Sequence, residues 1–302
     1  MKTILITGAS GFVGKNFIKA FSSKFLIKVI SLRKMPVDNI NLQGIDVIIH
    51  LAGKAHDLKK NSKPSEYYEV NTELTKKIYD KFLESNASTF ITLSSVKAAA
   101  DKILVPLTEE TIPEPETHYG KSKLLAEKYI FSRPLSYDKQ VYVLRPCIIH
   151  GEGNKGNLNL LYQLVKRGFP YPLGSFENKR SFLSIENLNF IFEQLINRKD
   201  IPSGIYNVSD ENPLSTNKLI YIMGKSLNKK IKIFYINPSI IKYIAKIGNI
   251  LHLPLNEERL QKMTENYIVD NTKILNALKH SLPVSSEEGL KRTFQTFINE
   301  KL

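Results

Sequence analysis

A tyrosine and a lysine four residues apart are the side chains of this sequence best suited to moving a proton. Tyr119 and Lys123 lie in a run that continues through residues 124–128 with good helix formers. Because positions i and i+4 share one face of a helix, the ammonium group is expected to lower the pKa of the phenol from its ordinary value of about 10. A phenol tuned in this way can give a proton to, or take one from, a sugar oxygen.

The start of the chain predicts a strand, a glycine-rich turn and a helix, in that order. Residues 2–7 are mainly β-branched and apolar, as in a buried strand, and residues 15–25 show helical periodicity. Between them Gly8, Gly11 and Gly14 form the pattern G-x-x-G-x-x-G. Such glycines let backbone N–H groups approach a pyrophosphate, which the positive end of the helix dipole also attracts. This context predicts a dinucleotide cofactor.

A second strand is predicted at residues 26–32, and the residues at its end bear on the choice of cofactor. At this position, dinucleotide-binding folds normally place an acidic residue that accepts a hydrogen bond from the 2′-hydroxyl of NAD. This sequence has Arg33 and Lys34 there instead, and cations suit a 2′-phosphate. NADP(H) is therefore favoured, with NAD(H) left open. The alternative is that two basic residues, in a chain with 43 lysines and arginines, simply begin a solvated loop.

Further motifs occur in order along the chain. They are residues 7–14 (TGASGFVG), 46–53 (DVIIHLAG), 92–95 (TLSS), 119–123 (YGKSK), 144–146 (LRP), 150–153 (HGEG) and 180–188 (RSFLSIENL). In these motifs the sequence resembles the extended short-chain dehydrogenase/reductase family, in its branch of nucleotide-sugar epimerases, dehydratases and reductases. The resemblance implies an α/β fold: a Rossmann doubly wound parallel sheet with a smaller C-terminal substrate lobe.

The predicted elements agree with that architecture and suggest how the chain is divided. Strands alternate with helices through about residue 150, which is the pattern of a parallel doubly wound sheet. Residues 1–150 are expected to form the NAD(P)-binding core, and residues 151–302 mainly the substrate lobe. A segment at about residues 180–210 is expected to return to the core.

The resemblance also implies roles for individual residues. Catalysis is assigned to Ser95, Tyr119 and Lys123, with Ser95 holding the substrate oxygen and Lys123 also holding the nicotinamide ribose. Together with the basic pair, the residues expected to contact the cofactor are Gly8, Ser10, Gly11, Phe12, Val13, Gly14, Arg33, Lys34, Leu51, Ala52, Gly53, Ser94, Tyr119, Lys123, Pro146 and Ile148. The residues expected to contact a nucleotide sugar are Ser95, Asn157, Leu173, Arg180 and Arg259.

Three departures from the family pattern bear on the fold and on which reactions the enzyme is expected to catalyse. The segment between Lys34 and Gly44 is short, so the usual third strand is expected to be missing or reduced to residues 38–40. Val96 and Lys97 come after the serine pair in place of the Asp-Glu pair with which sugar 4,6-dehydratases eliminate water. Residues 97–100 (KAAA) also replace the Val-Tyr-Gly of 4-epimerases, which weakens a simple hexose 4-epimerase interpretation without excluding it.

A closer resemblance favours a reductase. Residues 50–56 (HLAGKAH), 155–157 (KGN) and 172–174 (PLG), together with Arg180, look like a subgroup from bacterial surface-polysaccharide clusters. Its members reduce the 4-keto group of a UDP-4-keto-6-deoxy-N-acetylhexosamine. The alternative is a 4-epimerase of UDP-hexoses or UDP-N-acetylhexosamines with tightly bound NAD. A more distant alternative is a non-catalytic NADP-binding sensor on the same fold.

Composition sets broader limits. The net charge is +14, but the lysines are spread along the chain, so attraction of anionic cofactor and substrate explains them better than nucleic acid does. A single cysteine excludes an internal disulfide, and six histidines without ligand spacing indicate no metal. The first strand leaves no room for a signal peptide, so a cytoplasmic location is expected. The sequence leaves a homodimer open.

One segment is compatible with a membrane surface. No stretch of about 20 apolar residues is present, so no membrane span is expected. Residues 240–247 (IIKYIAKI) nevertheless predict a basic amphipathic helix, which can lie on a lipid surface. The more common explanation is a helix of the core or of a subunit contact.

Overall fold

The computed structural model describes residues 1–55, 63–154, 156–251 and 256–299. Its centre is a six-stranded sheet in the order β2-β1-β3-β4-β5-β8, with every neighbouring pair parallel. These strands are β1 (Thr3–Thr7), β2 (Leu26–Ile30), β3 (Val47–His50), β4 (Thr89–Leu93), β5 (Gln140–Pro146) and β8 (Gly204–Val208). A two-stranded parallel sheet pairs β6 (Ile148–His150) with β7 (Phe182–Ser184).

Helices connect the strands and form the second lobe. In chain order they are α1 (Phe12–Phe21), α2 (Pro64–Tyr67), a π-helix (Tyr68–Glu73), α3 (Leu74–Glu84), α4 (His118–Ser132), α5 (Asn157–Lys166), α6 (Ile185–Asn197), α7 (Thr216–Ser226), α8 (Pro238–Ile250), α9 (Glu257–Thr264), α10 (Thr272–Leu278) and α11 (Ser286–Asn299). Short 3-10 helices cover Val37–Asn39 and Val96–Ala98. Among the described residues, none of the helices is long and apolar enough to cross a membrane.

Both faces of the large sheet are covered because successive side chains of each strand point to opposite sides. Ile4 and Ile6 of β1 lie in an apolar cluster with residues of α1, α6 and α10. Leu5, between them, lies in a second cluster with residues of α3 and α4. The Rossmann doubly wound α/β fold predicted from the sequence is therefore confirmed.

The C-terminal lobe has an apolar cluster of its own. Tyr162 of α5, Met223 of α7, Ile241 of α8 and Phe294 of α11 are buried together there. The backbone of Arg180 pairs on its two sides with residues 214 and 267. Segments from widely separated parts of the chain therefore build this lobe.

The sheet also determines where a ligand can bind. Strand β1 has β2 on one side and β3 on the other, so the order of the strands reverses direction between β1 and β3. Thr7 and His50 are in register at the carboxyl ends of these two strands. In open α/β sheets ligands bind at such a switch point. The fold thus brings the glycine-rich turn together with residues 51–53.

The structure sharpens the expectation about the second and third strands. Strand β2 is the edge of the sheet, and Val37–Asn39 forms a 3-10 turn, so no third strand stands beyond β2 in this part of the chain. Strand β2 also ends at Ile30, two residues before the predicted end at 32. The amides of Lys34 and Met35 donate to the Ser31 carbonyl at 3.0 and 3.1 Å, and this turn ends the extended backbone.

A buried histidine lies in the sheet at the end of β3. The Thr7 hydroxyl lies 2.8 Å from Nδ1 of His50, and Nε2 lies 3.0 Å from the hydroxyl of Thr75. Thr75 itself donates to the carbonyl of Asn71, so its oxygen accepts from His50. These directions assign the imidazole proton to Nε2 and leave the ring neutral. Burial first, and then the charge of Lys123, lower the pKa of His50 to about 3.

This histidine makes the fold sensitive to acid. Below its ordinary pKa, an unfolded His50 binds a proton that the folded protein excludes, so stability falls as the pH decreases. Between about pH 7.5 and pH 5 the loss attributable to His50 is roughly 2 kcal/mol. We expect His50→Gln, which keeps a donor and an acceptor, to lose less unfolding free energy over that interval than the wild type. Urea unfolding at both pH values measures this, and equal losses in the two proteins would contradict it.

Candidate active site

The turn after β1 has a shape that glycine alone fits at two positions. Gly8 has φ +73°, and a Cβ there would lie 2.5 Å from backbone atoms of both Leu51 and Ala52. A Cβ on Gly14 would lie 2.5 Å from the carbonyl oxygen of Gly8. Helix α1 begins after Gly11 with neither a side-chain cap nor an acidic residue in its first turn. Its first N–H groups can therefore bind an anion, and the turn fits the diphosphate of NAD(P).

The other residues expected at the cofactor occupy several positions around this turn. Ser10 is exposed in the turn, and Phe12 and Val13 open α1 half-buried. On the far side of β5, Pro146 is buried at the strand end, whereas Ile148 is exposed at the start of β6. Their contact with a cofactor stays a prediction.

The basic pair lies at the edge of the sheet. Arg33 and Lys34 are both exposed in the turn after β2, beside the carboxyl end of β1. Residues 31–36 contain no acidic side chain. The local charge at this end of the site is therefore positive.

The structure brings two of the three predicted catalytic residues into contact. The Tyr119 hydroxyl is hydrogen-bonded to Ser95, which is buried at the end of the loop after β4. Helix α4 starts at His118, one residue before the tyrosine, because the hydroxyl of Thr117 accepts from the amide of Gly120 at 3.1 Å and caps the helix. A Cβ on Gly120 would lie 2.3 Å from the carbonyl of Lys97, so this glycine lets the helix start pack on the turn after Ser95.

Lys123 lies one turn further along α4 and faces the end of β4. Its ammonium donates to the carbonyl of Leu93 at 2.8 Å. A Cβ on Gly53 would lie only 3.1 Å from this Nζ, so the loop after β3 passes close over the lysine. Burial lowers the pKa of Lys123 to about 8, and the nearby carboxylate of Glu127 opposes that shift.

The prediction that Lys123 lowers the pKa of Tyr119 is wrong. Burial raises the pKa of Tyr119 above its ordinary value, and the hydrogen bond with Ser95 only partly offsets that rise. Helical spacing places the lysine on the same face, but its ammonium is directed to a backbone carbonyl. Tyr119 is consequently held as the neutral phenol, which is a proton donor.

Asn71 is a residue of the site that the sequence interpretation missed. It lies in the π-helix Tyr68–Glu73, a distortion often found at functional sites. Its side-chain Oδ1 accepts from the backbone N–H of Lys54 at 2.7 Å, and its Nδ2 donates to the carbonyl oxygen of Lys54 at 3.0 Å. The same amide donates to the hydroxyl of Ser122 at 3.0 Å. One side chain thus ties the loop after β3 to the catalytic helix.

A buried ion pair beneath the serines was also missed. Glu127 accepts from Nε of Arg145 at 3.0 Å and from Nη2 at 2.6 Å, and both residues are almost completely buried. The hydroxyl of Ser94 donates to the same carboxylate. Arg145 therefore holds α4 against β5.

The residues expected at the substrate are spread over the C-terminal lobe. Leu173 is buried in the apolar cluster of that lobe, and Arg259 is exposed on α9. Arg180 is half-buried with its Nη2 3.4 Å from a carboxylate oxygen of Glu265, and burial lowers the pKa of its guanidinium. Asn157 begins α5, but its side chain, like residues 56 and 155, lies outside the described residues. The substrate roles of these residues stay predictions.

A metal centre finds no support in the part of the chain that the structure describes. No group of three or more His, Cys, Asp or Glu side chains there could hold a metal ion. Ser95, Tyr119 and Lys123 supply a hydroxyl, a phenol and an ammonium group to the candidate site.

The glycine turn, the Ser95–Tyr119 contact and the parallel sheet together match a known family. The model of the NAD dependent epimerase/dehydratase family covers residues 4–209. The chain belongs to this family. Solved structures 15–19% identical in sequence share its fold over 98–99% of the chain, with TM-scores of 0.73–0.78. Some of them were solved with NAD and one with NADPH.

Relatives in the family carry out related reactions. A UDP-glucose 4-epimerase of Vibrio cholerae is 29% identical over 98% of this chain and 96% of its own length. An Escherichia coli O157:H7 4-epimerase of N-acetyl-α-D-glucosaminyl-diphospho-ditrans,octacis-undecaprenol is 27% identical over 99% and 96%. A UDP-2-acetamido-2,6-β-L-arabino-hexul-4-ose reductase of Pseudomonas aeruginosa is 27% identical over 52% and 38%. The family and its relatives are epimerases and reductases, so the protein is an enzyme, and the sensor hypothesis is not retained.

The Glu127–Arg145 pair allows a test of how the site is held. Replacing one partner leaves the other charge buried and uncompensated, so Glu127→Leu is expected to lower the free energy of unfolding by roughly 3–5 kcal/mol. Adding Arg145→Met to Glu127→Leu removes the orphaned charge and should restore part of that loss. Chemical denaturation of the three proteins checks this, and a double variant no more stable than Glu127→Leu would contradict the interpretation.

Proposed function

We propose that the enzyme uses NADPH to reduce the C4 keto group of a UDP-4-keto-6-deoxy-N-acetylhexosamine in the synthesis of a surface polysaccharide. The observation that carries the choice of a net reductase is the pair of exposed cations, Arg33 and Lys34, at the end of the edge strand, with no acidic residue in positions 31–36. A positive site there suits a 2′-phosphate better than a 2′-hydroxyl. A reductase consumes its reduced cofactor, whereas an epimerase recycles one that stays bound.

The catalytic residues are arranged so that they can hold and protonate the oxygen of a ketone as it is reduced. A bound nicotinamide supplies the hydride for the C4 carbon. Ser95 and Tyr119, already hydrogen-bonded to one another, donate to the C4 carbonyl oxygen and hold it. As the oxygen becomes an alkoxide, the protonated phenol of Tyr119 gives it a proton. The phenolate then regains a proton from water, and Lys123, whose ammonium donates to the Leu93 carbonyl, is proposed to hold the nicotinamide ribose.

The substrate class is supported by the relatives and by the residues of the lobe. The Pseudomonas aeruginosa relative is by name a reductase of a UDP-linked 2-acetamido-2,6-dideoxy-4-ketosugar, which is the kind of substrate proposed here. Arg180, and Asn157 at the first turn of α5, are proposed to bind the diphosphate, and Arg259 to add a second phosphate contact. Leu173 is proposed to border the base.

A 4-epimerase is the second candidate, and the relatives are the reason for keeping it. Two relatives that match over 96% of their own length are 4-epimerases by name. Such an enzyme would oxidise C4 and return the hydride to the other face of the keto sugar, with NAD retained throughout. Tyr119 would then have to be a phenolate before it accepts the proton of the C4 hydroxyl, and a raised pKa makes that form less populated.

The decisive experiment measures NADPH absorbance over time. With a UDP-4-keto-6-deoxy-N-acetylhexosamine we expect one NADPH oxidised per sugar, and with UDP-galactose no UDP-glucose. Tyr119→Phe removes the proton donor and is expected to slow turnover by about 10²–10⁴-fold while leaving NADPH affinity nearly unchanged. No absorbance change with the keto sugar, together with epimerisation of a UDP-hexose, would decide for the epimerase. A Tyr119→Phe rate within threefold of wild type would exclude the phenol from the mechanism.

Cofactor choice is tested separately at the edge of the sheet. If Arg33 and Lys34 bind the 2′-phosphate, changing both to alanine removes charge-assisted hydrogen bonds worth about 1.5–3 kcal/mol each. NADPH binding should weaken strongly, and NADH binding should change little. Replacing Lys230 and Lys232 of the C-terminal lobe with alanine is the matched control, because it removes the same charge from an exposed surface. Titration of cofactor fluorescence measures all affinities, and equal weakening of NADPH and NADH would contradict the assignment.

A further inference from the structure

The C-terminal lobe contains a long segment of one charge sign. From residue 212 to residue 256 the sequence has seven lysines and no aspartate or glutamate. The same segment carries a cluster of large exposed apolar side chains that no other element of the described chain covers. A surface that is both basic and apolar favours a partner that is both anionic and apolar, whereas the positive charge of the chain as a whole favours any anion.

Helix α8 concentrates these two properties. Ile241 and Ala245 are buried against the lobe, and Lys242 and Lys246 are exposed on the other side. Between those two faces runs a row of side chains that are 43–77% exposed, which we call the apolar stripe: Ile240, Tyr243, Ile244, Ile250 and Leu251. At 3.6 residues per turn the stripe spans an arc of about 120°. It is therefore wide enough to lie on an apolar surface while the two lysines stay in water.

We propose that the apolar stripe and its lysines dock the enzyme on an anionic lipid bilayer, with α8 lying in the plane of the interface. Its 13 residues extend about 20 Å, which is too short to cross a hydrocarbon core of about 30 Å. Apolar side chains on one side with lysines beside them are the pattern of helices that insert shallowly among lipid headgroups. Lysines near such a surface are attracted by anionic lipids at roughly 1 kcal/mol each.

A lipid surface fits better than a second copy of this chain. In a two-fold interface the same patch faces itself. Lys242 and Lys246 would then lie close to the same lysines of the other copy, because α8 itself has no carboxylate, and Glu257 at the start of α9 is bonded to Asn249. An anionic bilayer supplies both the apolar layer and the opposite charge.

The position of the docking surface links it to the site. Just before α8, residues 233–235 pair with Tyr171 and Leu173, and Gly174 packs on Ile233. Leu173 and Gly174 belong to the segment predicted to border the nucleotide. Docking through α8 therefore holds the substrate lobe, rather than the sheet, next to the membrane surface.

The test is co-sedimentation of the full chain with vesicles. We expect binding to vesicles of equimolar phosphatidylcholine and phosphatidylglycerol, weakening as salt is raised, and little binding to phosphatidylcholine alone. The stripe variant Ile240→Ser/Tyr243→Ser/Ile244→Ser should bind the anionic vesicles roughly tenfold or more weakly. Lys242→Gln/Lys246→Gln should lose about fivefold per lysine.

A matched control separates docking from general loss of apolar surface. Leu104, Val105 and Ile112 are exposed away from α8, so changing these three to serine removes a similar amount of apolar side chain. We expect this control to bind like wild type, with all proteins keeping the same thermal unfolding midpoint. Wild type that stays in solution with anionic vesicles would overturn the proposal. So would equal binding by the stripe variant, or a stripe-dependent dimer that forms without lipid and binds no vesicles.

Discussion

The buried ion pair between Glu127 and Arg145 joins helix α4 to strand β5, and the candidate site depends on that connection. Tyr119 and Lys123 lie two turns and one turn before Glu127 on the same helix, so the pair sets how far they reach toward the sheet. Ser94 donates to the same carboxylate, which places the end of β4 in the same arrangement. Buried charges contribute little net stability, but they tolerate few alternative geometries. Here they determine where a phenol, a hydroxyl and an ammonium group meet.

Much of the fold could be predicted because its determinants are local. Residues 47–50 and 89–93 are short apolar runs, as expected for parallel strands buried on both faces. The glycine pattern after β1 specifies a turn in which Gly8 has a positive φ and two backbones pass within contact distance. The segment between residues 34 and 44 is short, and this alone predicted that the third strand would be missing or reduced. In each case residues within a few positions of one another carry the information.

The parts that could not be predicted depend on residues far apart in the sequence. Asn71 contacts residues 54 and 122, and Glu127 contacts residues 94 and 145, so neither contact has a local pattern beyond the helix on which it starts. The pKa of Tyr119 was predicted in the wrong direction for the same reason. Spacing on α4 indicates which groups are neighbours, but the burial that dominates the shift comes from elements all around the tyrosine. The contact of Ser95 with Tyr119 was expected from family resemblance and not from spacing.

Loss of the third strand has a consequence for solubility. It leaves β2 as an edge, with one row of backbone N–H and C=O groups unpaired within the sheet and with Leu26 and Val29 more than half exposed. Such an edge can template the addition of a strand from another molecule. Lys28, exposed between those two residues, opposes this because a foreign strand would have to bury or displace its charge. The lysine acts as a gatekeeper, protecting the shortened sheet from self-association.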